Sequence, residues 1–421
     1  MGRASTHQVR RRRVFYIPGY DPIHPRRYRE LYRKESAAQA EISGYEIGLT
    51  PKVSDGGNYG WRVHARIGGA SVDTDVEVLV WSDIVRDSMS TSIPATYLQL
   101  LRTAWVYISS GTLWRLMKLR KGPVIAALYP IGMLLAQLGL AVLFGWLIAK
   151  GAGFLTAWAI GLITGPEDAA LGAAAVAASA GLLSGVALLR WFKKQDAKFF
   201  AYYLMHDYFY SASSRGANPP ELEARIANFT DTIAEALTGD ADEVLVVGHS
   251  SGAHIGVSML ADLIRQNRVP TDGPALSFLS LGQVVPMVSF LSGAHRLRAD
   301  LKYLSARDEV TWVDVTAPGD GCAFALCDPV SVSGVAPEDK KWPLVFSAAF
   351  TQTLSPARWK ELRWRFFRLH FQYLCAFDRP KDYDYFQITA GSVTLGTRYA
   401  GRAPSRSRID RPVSKYTSIA A

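Results

Sequence analysis

Apolar positions follow two different rhythms along this chain. The first is a mixture of short runs and helical spacings. Residues 13–20 (RVFYIPGY) form an apolar run stopped by Pro-Gly, the pattern of a buried strand entering a loop. Residues 25–40 are rich in helix formers, 61–68 (WRVHARIG) alternate in hydrophobicity, and 76–81 (VEVLVW) are a continuous β-rich run. Residues 97–119 read as a helix with a basic end, suited to lie along a membrane surface. Further on, 197–210 and 220–237 read as helices, the second capped by Asn218 and opened by Pro219 and Pro220. A strand at 243–247 precedes a helix at 253–266, and strands follow at 275–281, 310–315 and 344–348. Strands alternating with helices predict an α/β fold, with a mostly parallel sheet covered on both faces.

The second rhythm is the loss of polar positions altogether. Residues 123–150 carry no charge before Lys150, and the part after Pro130 alone spans roughly 28 Å as helix, close to the hydrocarbon thickness of a bilayer. A second charge-free run, 169–189, has a small residue at every fourth position (Ala173, Ala177, Gly181, Gly185), a stripe on which another helix can approach closely. Trp114, Trp146 and Trp191 mark the ends of these runs as interfacial aromatics do. Arg115, Lys118, Arg120 and Lys121 precede the first run, and Arg190, Lys193 and Lys194 follow the second. The connection holds Lys150, Glu167 and Asp168. The positive-inside tendency puts both outer flanks in the cytoplasm. Residues 151–165 are too short to cross alone and are expected to be interfacial, re-entrant or an extension of the hairpin.

These rhythms divide the chain into a basic arm (1–13), a first part of one α/β domain (14–122), a transmembrane helical hairpin (123–192), a second part of that domain (193–397) and a flexible Arg/Ser-rich tail (398–421). Charge sharpens the picture. With 47 basic and 37 acidic residues the net charge is +10, which favours an acidic partner surface. The basic residues crowd the apolar flanks and no nucleic-acid-binding module is present, so a lipid bilayer is the expected partner. The arm, VRRRRV at 9–14, is expected to be solvated, and no apolar run of signal-peptide length follows it, so neither secretory cleavage nor twin-arginine export is expected. Three cysteines, Cys322, Cys327 and Cys375, form neither a disulfide framework nor a paired zinc motif and are expected to be small buried hydrophobes.

Candidate chemistry centres on EVLVVGHSSGAHIG, residues 243–256. A buried-strand pattern ends at Gly248 and a helix-compatible run begins after Gly252. The two glycines give room for a tight turn in which Ser250 projects its hydroxyl. In this strand–GHSSG–helix layout the chain resembles the α/β-hydrolase family, across most of its non-membrane part. The resemblance implies a nucleophile followed in sequence by an acid and then a histidine. Three histidines follow Ser250. His254 lies on the elbow helix, His295 has few carboxylates ahead of it, and His370 in FRLHFQYL is the preferred base, although its flanks look helical where the family uses a loop. His249 is expected to be a neighbour of the site. The acid is Asp320, just past the strand in VTWVDVTAPGDG, with Asp308 and Asp314 as alternatives. The resemblance also implies an oxyanion hole from the backbone N–H groups of Ser251 and, in the IPGY loop, Tyr20.

The expected function is membrane-anchored hydrolysis of esters or thioesters by a Ser-His-Asp triad, in a bacterial inner (plasma) membrane with the hydrolase domain cytoplasmic and a lipid or acyl ester as substrate. No metal or organic cofactor is implied, since the chain lacks HExxH, Walker-A and GxGxxG contexts. The alternative is a non-catalytic membrane protein using a hydrolase-like domain as an interaction scaffold. A transporter is disfavoured, because Gln137 is the only conspicuous polar side chain in the apolar runs.

Overall fold

A computed structural model describes residues 8–52, 57–89, 92–164 and 169–420. These divide into two compact units. One comprises the described residues of Met1–Ser88, Val106–Ile125 and Ser211–Ala421, and the other comprises Met89–Trp105 and Ala126–Tyr210.

The first unit is built on an eight-stranded sheet. In chain order its elements begin with β1 (Arg11–Ile17), α1 (Arg26–Ser43), β2 (Glu46–Pro51), β3 (Gly60–Ile67), β4 (Ala70–Val78) and α2 (Ser82–Ser88). After α3 (Ile93–Ser109), α4 (Thr112–Leu119), α5 (Lys121–Thr164), α6 (Ala169–Lys194), α7 (Asp196–Phe199) and α8 (Ala201–Ser213), it continues with α9 (Pro220–Leu237), β5 (Glu243–His249), α10 (Gly252–Arg265), β6 (Ala275–Leu281), β7 (Val310–Thr316) and β8 (Leu344–Ser347). The strand order is β2-β3-β4-β1-β5-β6-β7-β8. From β4 to β8 neighbouring strands run parallel, whereas β2, β3 and β4 form an antiparallel meander. The expected mostly parallel α/β sheet is therefore present. Every residue of β5 is buried, as a strand covered on both faces requires. One face packs Val14, Tyr16, Leu245, Val247, Leu279 and Val313 into the main core, which the chain after β8 completes with Tyr373, Phe377 and Phe386.

Two expectations about the ends of the chain fail. The basic arm is not simply solvated. Val9 is buried, Arg11 begins β1, and the Arg12 side chain is fully buried. Its guanidinium meets Glu243 at 2.6 Å and donates to the Gly391 and Val393 carbonyls. Glu243 in turn accepts from the Ser277 hydroxyl and the Leu395 N–H. Both charges are thus fully partnered, the condition under which burying them is tolerable. The tail is not free either. Asp328 donates its N–H to the Ile409 carbonyl, Ile409 to that of Leu326, Ser405 to that of Val345, and Ser414 to that of Val332. Backbone pairing outweighs the flexible look of its Arg/Ser composition.

In the second unit the apolar rhythm becomes two helices long and apolar enough to cross a membrane, and mostly unburied. α5 runs unbroken for 44 residues, about 66 Å, with Pro130 inside it. Residues 151–164 therefore continue the helix, the extension of the hairpin among the expected alternatives. The connection at 165–168, with Glu167 and Asp168, lies outside the described residues. The small-residue stripe of α6 does meet a partner. A Cβ on Gly181 would stand 2.8 Å from the Gly145 carbonyl oxygen, one on Gly185 3.1 Å from that of Ala141, and one on Gly153 3.1 Å from the Ala177 Cβ. The facing surface of α5 is itself small at every fourth position: Ala141, Gly145, Ala149 and Gly153.

Other boundaries differ in detail. The helix expected at 97–119 is two helices, separated where Gly111 takes φ +71°. The helix at 197–210 is likewise broken at Phe200, φ 54°. Asn218 does not cap α9; its amide donates to Glu223.

Candidate active site

The carboxyl ends of the parallel strands carry the candidate chemistry. β5 ends in a turn that leads directly into α10, and Ser250 in that turn has φ 57°, a left-handed conformation costing a non-glycine residue roughly 1–3 kcal/mol. The flanking glycines explain how the turn closes. A Cβ on Gly248 would stand 2.7 Å from the Gly252 carbonyl oxygen, and one on Gly252 only 2.1 Å from the Ile17 carbonyl oxygen on β1. Neither position has space for a side chain. The turn is tied down by Ser250 N–H donating to the Leu281 carbonyl at 2.9 Å and by Ala253 N–H donating to the Ser250 carbonyl at 3.1 Å. Ser251 opens α10 as its N-cap.

The loop after β1 lies against this turn. A Cβ on Gly19 would be 3.0 Å from the Ser250 Cβ and 3.4 Å from its Oγ, so the absent side chain at 19 leaves the serine accessible. Tyr20, the next residue, is buried, with its hydroxyl on Ser88 Oγ at 2.6 Å and its ring edge-on to Trp81.

His370 and Asp320 arrive from further along the chain. Asp320 lies in the loop after β7. His370 ends a short helix, Phe366–His370, so its helical flanks are real, but it occupies the last turn. Its Nδ1 lies 2.7 Å from Asp320 Oδ2, and both side chains are almost completely buried. Burial pushes the Asp320 carboxyl up, but His370, the Cys322 N–H and the Tyr373 hydroxyl together hold it below the usual range. An ionised carboxylate only accepts hydrogen bonds, so Nδ1 carries the ring proton and Nε2 is left as a base. The imidazole also neighbours the elbow. Its ring centroid is 4.8 Å from that of His249, whose Nε2 lies 3.0 Å from the His370 carbonyl oxygen. A Cβ on Gly282, the residue after Leu281, would be 3.1 Å from His370 Cε1.

The alternative acids stand elsewhere. Asp308 is exposed and paired with Lys341 at 2.6 Å. Asp314 is buried within β7 and accepts from the Ser280 hydroxyl, and burial pushes its carboxyl up to about 8. The other histidines are not paired with an acid at this site. His254 sits in α10, where burial pushes its imidazole down to about 4, and His295 begins the helix His295–Ser305 beside Arg298. His249 is a neighbour of the site, as expected, and burial followed by the nearby His370 holds it down to about 3, hence neutral.

Two further residues support the acid, one of them a cysteine expected to be buried. Tyr373 donates its hydroxyl to Asp320 Oδ2 at 3.0 Å and accepts the Ala317 N–H at 2.9 Å, pinning the acid to its loop. Nothing in FRLHFQYL marks it beyond its spacing of three from His370. Cys322 is only half-buried and not a core hydrophobe. Its N–H holds Asp320 Oδ1 at 2.9 Å, and its sulfur, a carboxylate oxygen of Asp320 and a ring nitrogen of His370 all lie within 4.8 Å of one another. Among the described residues this is the one cluster of three donors able to hold a metal ion.

No known family model, curated protein or solved structure matches this chain. The functional reading therefore rests on this geometry alone. As chemistry, a strained, half-buried serine whose neighbour His249 packs against a carboxylate-oriented imidazole is an arrangement suited to proton removal from an attacking hydroxyl.

Proposed function

We propose that the protein is a membrane-anchored serine hydrolase cleaving esters or thioesters, with Ser250 as nucleophile, His370 as base and Asp320 as the acid that orients it. The observation that carries this reading is the 2.7 Å pairing of His370 Nδ1 with Asp320, at the same end of the sheet as the left-handed serine and with the imidazole packed against His249, the residue before it. His370 Nε2 takes the Ser250 proton, the alkoxide attacks the acyl carbonyl, and the Ser251 and Tyr20 amides bear the oxyanion. Water then enters on the same base and releases the acyl group. Such a strand–serine–helix elbow, with the second oxyanion donor on an early loop and the order Ser, Asp, His, is the α/β-hydrolase layout.

The anchor in this reading is the α5–α6 pair, packed through small residues with exposed Leu143, Leu147, Leu182 and Leu183 for lipid to cover. Basic flanks at 115–121 and 190–194 favour a cytoplasmic hydrolase unit in a bacterial inner (plasma) membrane. The stretch leading to His370 favours a lipid-borne substrate: Trp364 and Phe366 are exposed among Arg363, Arg365 and Arg368, an apolar and basic surface suited to anionic headgroups.

A serine-directed fluorophosphonate probe tests the reading. Purified wild type is labelled, and Ser250→Ala and His370→Ala are not. Folded wild type that takes no label overturns the enzyme in favour of a scaffold role for the same domain.

A further inference from the structure

We propose that Asp320, Cys322 and His370 bind a thiophilic divalent cation of the zinc type, and that this cation reversibly switches off the site. The switching half rests on the hydrolase reading; the binding half rests on the donor geometry alone.

Three different donors converge here, a carboxylate oxygen, a thiol sulfur and an imidazole nitrogen, all within 4.8 Å of one another. Tetrahedral zinc with bonds of about 2.0–2.3 Å separates its donors by roughly 3.3–3.7 Å, so the cluster closes on an ion by a shift on the order of 1 Å. The donor set selects for softness: thiolate and imidazole suit zinc, whereas magnesium and calcium demand oxygen. Asp320 and Cys322 come from one tight loop in which the Cys322 N–H already holds Asp320 Oδ1, so two of the three ligands are preassembled. The outer contacts that metal ligands need are also present, since Tyr373 donates to Asp320 and is itself held by the Ala317 N–H. Cys322 is half-buried while its two companions are buried, so the cluster lies beside the surface on the cysteine's side.

The consequence follows from proton positions. Binding turns the Cys322 thiol into a thiolate and releases one proton to solvent. A metal on Nε2 occupies the lone pair that would take the Ser250 proton. A metal on Nδ1 forces the ring proton onto Nε2, with the same result. Either way the imidazole is lost as a base while Ser250 and its turn stay intact, and removing the ion restores it.

The test uses the full chain in detergent or nanodiscs, with Co²⁺ as spectroscopic probe and Zn²⁺ as competitor. Wild type with Co²⁺ is expected to show thiolate-to-cobalt charge-transfer absorption that Zn²⁺ abolishes and Mg²⁺ does not. Cys322→Ser and, as a second variant, Asp320→Asn should weaken Zn²⁺ binding more than about tenfold, the scale on which even outer contacts of metal ligands act. Zn²⁺ should also block fluorophosphonate labelling of wild type, with recovery on adding a chelator. No charge-transfer band in wild type, or a band that survives in Cys322→Ser, overturns the site. A Cys322-dependent band in a protein that never labels at Ser250 upholds the site and removes the hydrolase reading instead.

Discussion

Glycine is used for opposite ends in the two units. At the elbow, Gly248 and Gly252 clear space so that one residue between them, Ser250, can be held in a conformation it would not choose. In the α5–α6 seam, Gly145, Gly181 and Gly185 clear space so that two backbones can meet, and no side chain between them is strained or presented. The surroundings differ accordingly. The elbow follows a strand whose first residue, Glu243, is clamped by the buried Arg12 guanidinium, whereas the seam is lined by uncharged small residues. Close approach alone is therefore not what sets the elbow apart; close approach around a strained polar residue is.

The sharpest way to break this contrast is at the acid. Asp320→Asn removes the charge that fixes the His370 tautomer while keeping its shape, and kcat is expected to fall about 10⁴-fold; a loss under tenfold would mean that Asp320 is structural only. Next in size is the clamp. Arg12→Ala leaves Glu243 buried and uncompensated, and should cost about 3–5 kcal/mol in urea unfolding of the first unit. A cost near zero would show that the elbow strand needs no anchoring.

The glycines themselves come third. Gly252→Ala forces a Cβ onto the Ile17 carbonyl and should destabilise by about 1–3 kcal/mol or more, with loss of probe labelling. Gly181→Ala should widen the α5–α6 spacing, read by spin-label distances, with Ser250 labelling retained. Gly132→Ala in open space on α5 should be neutral to stabilising by about 0.5–1 kcal/mol. Equal effects on labelling from Gly252→Ala and Gly181→Ala would erase the distinction drawn here.

The last effect is set by pH and concerns Asp314, the aspartate buried within β7 with no basic partner among the described residues. Burial raises Asp314 to about 8, above an unfolded value of about 3.9, so its contribution to stability is intact below about pH 4 and is lost progressively as pH rises toward 8. Asp314→Asn should therefore raise the melting temperature relative to wild type at pH 8, with the difference shrinking toward pH 5. Asp320 has the opposite sign, since its carboxyl lies below the usual range and favours the folded state until acid reaches it.

The parts legible in the sequence were those with dense local signals. β5 to β8 were readable because each is a short segment dominated by apolar residues between helix-rich pieces, and Ser250 because its glycines flank it in sequence. β2 was not: EIGLTP lies at the sheet edge, pairs only with β3 and shows no apolar alternation strong enough to announce itself. The continuation of α5 beyond Lys150 was one of three alternatives there, and the contact that selects it, Gly153 against Ala177, lies between two helices. Arg12 and Tyr373 owe their roles to partners 53 to 381 residues away, and Cys322 to the folding of one loop, information that no local window contains.

The position of β1 bears on the order of synthesis. This strand lies at the middle of the finished sheet, yet its neighbour β5 is 231 residues downstream, with both long apolar helices translated in between. At about 5–20 residues per second the ribosome needs roughly 10 to 50 s to cover that distance. Throughout that interval one edge of a hydrophobic strand stays unpaired, open to any other extended chain that passes. A nascent copy of this protein must therefore be shielded along β1 until its second half is born.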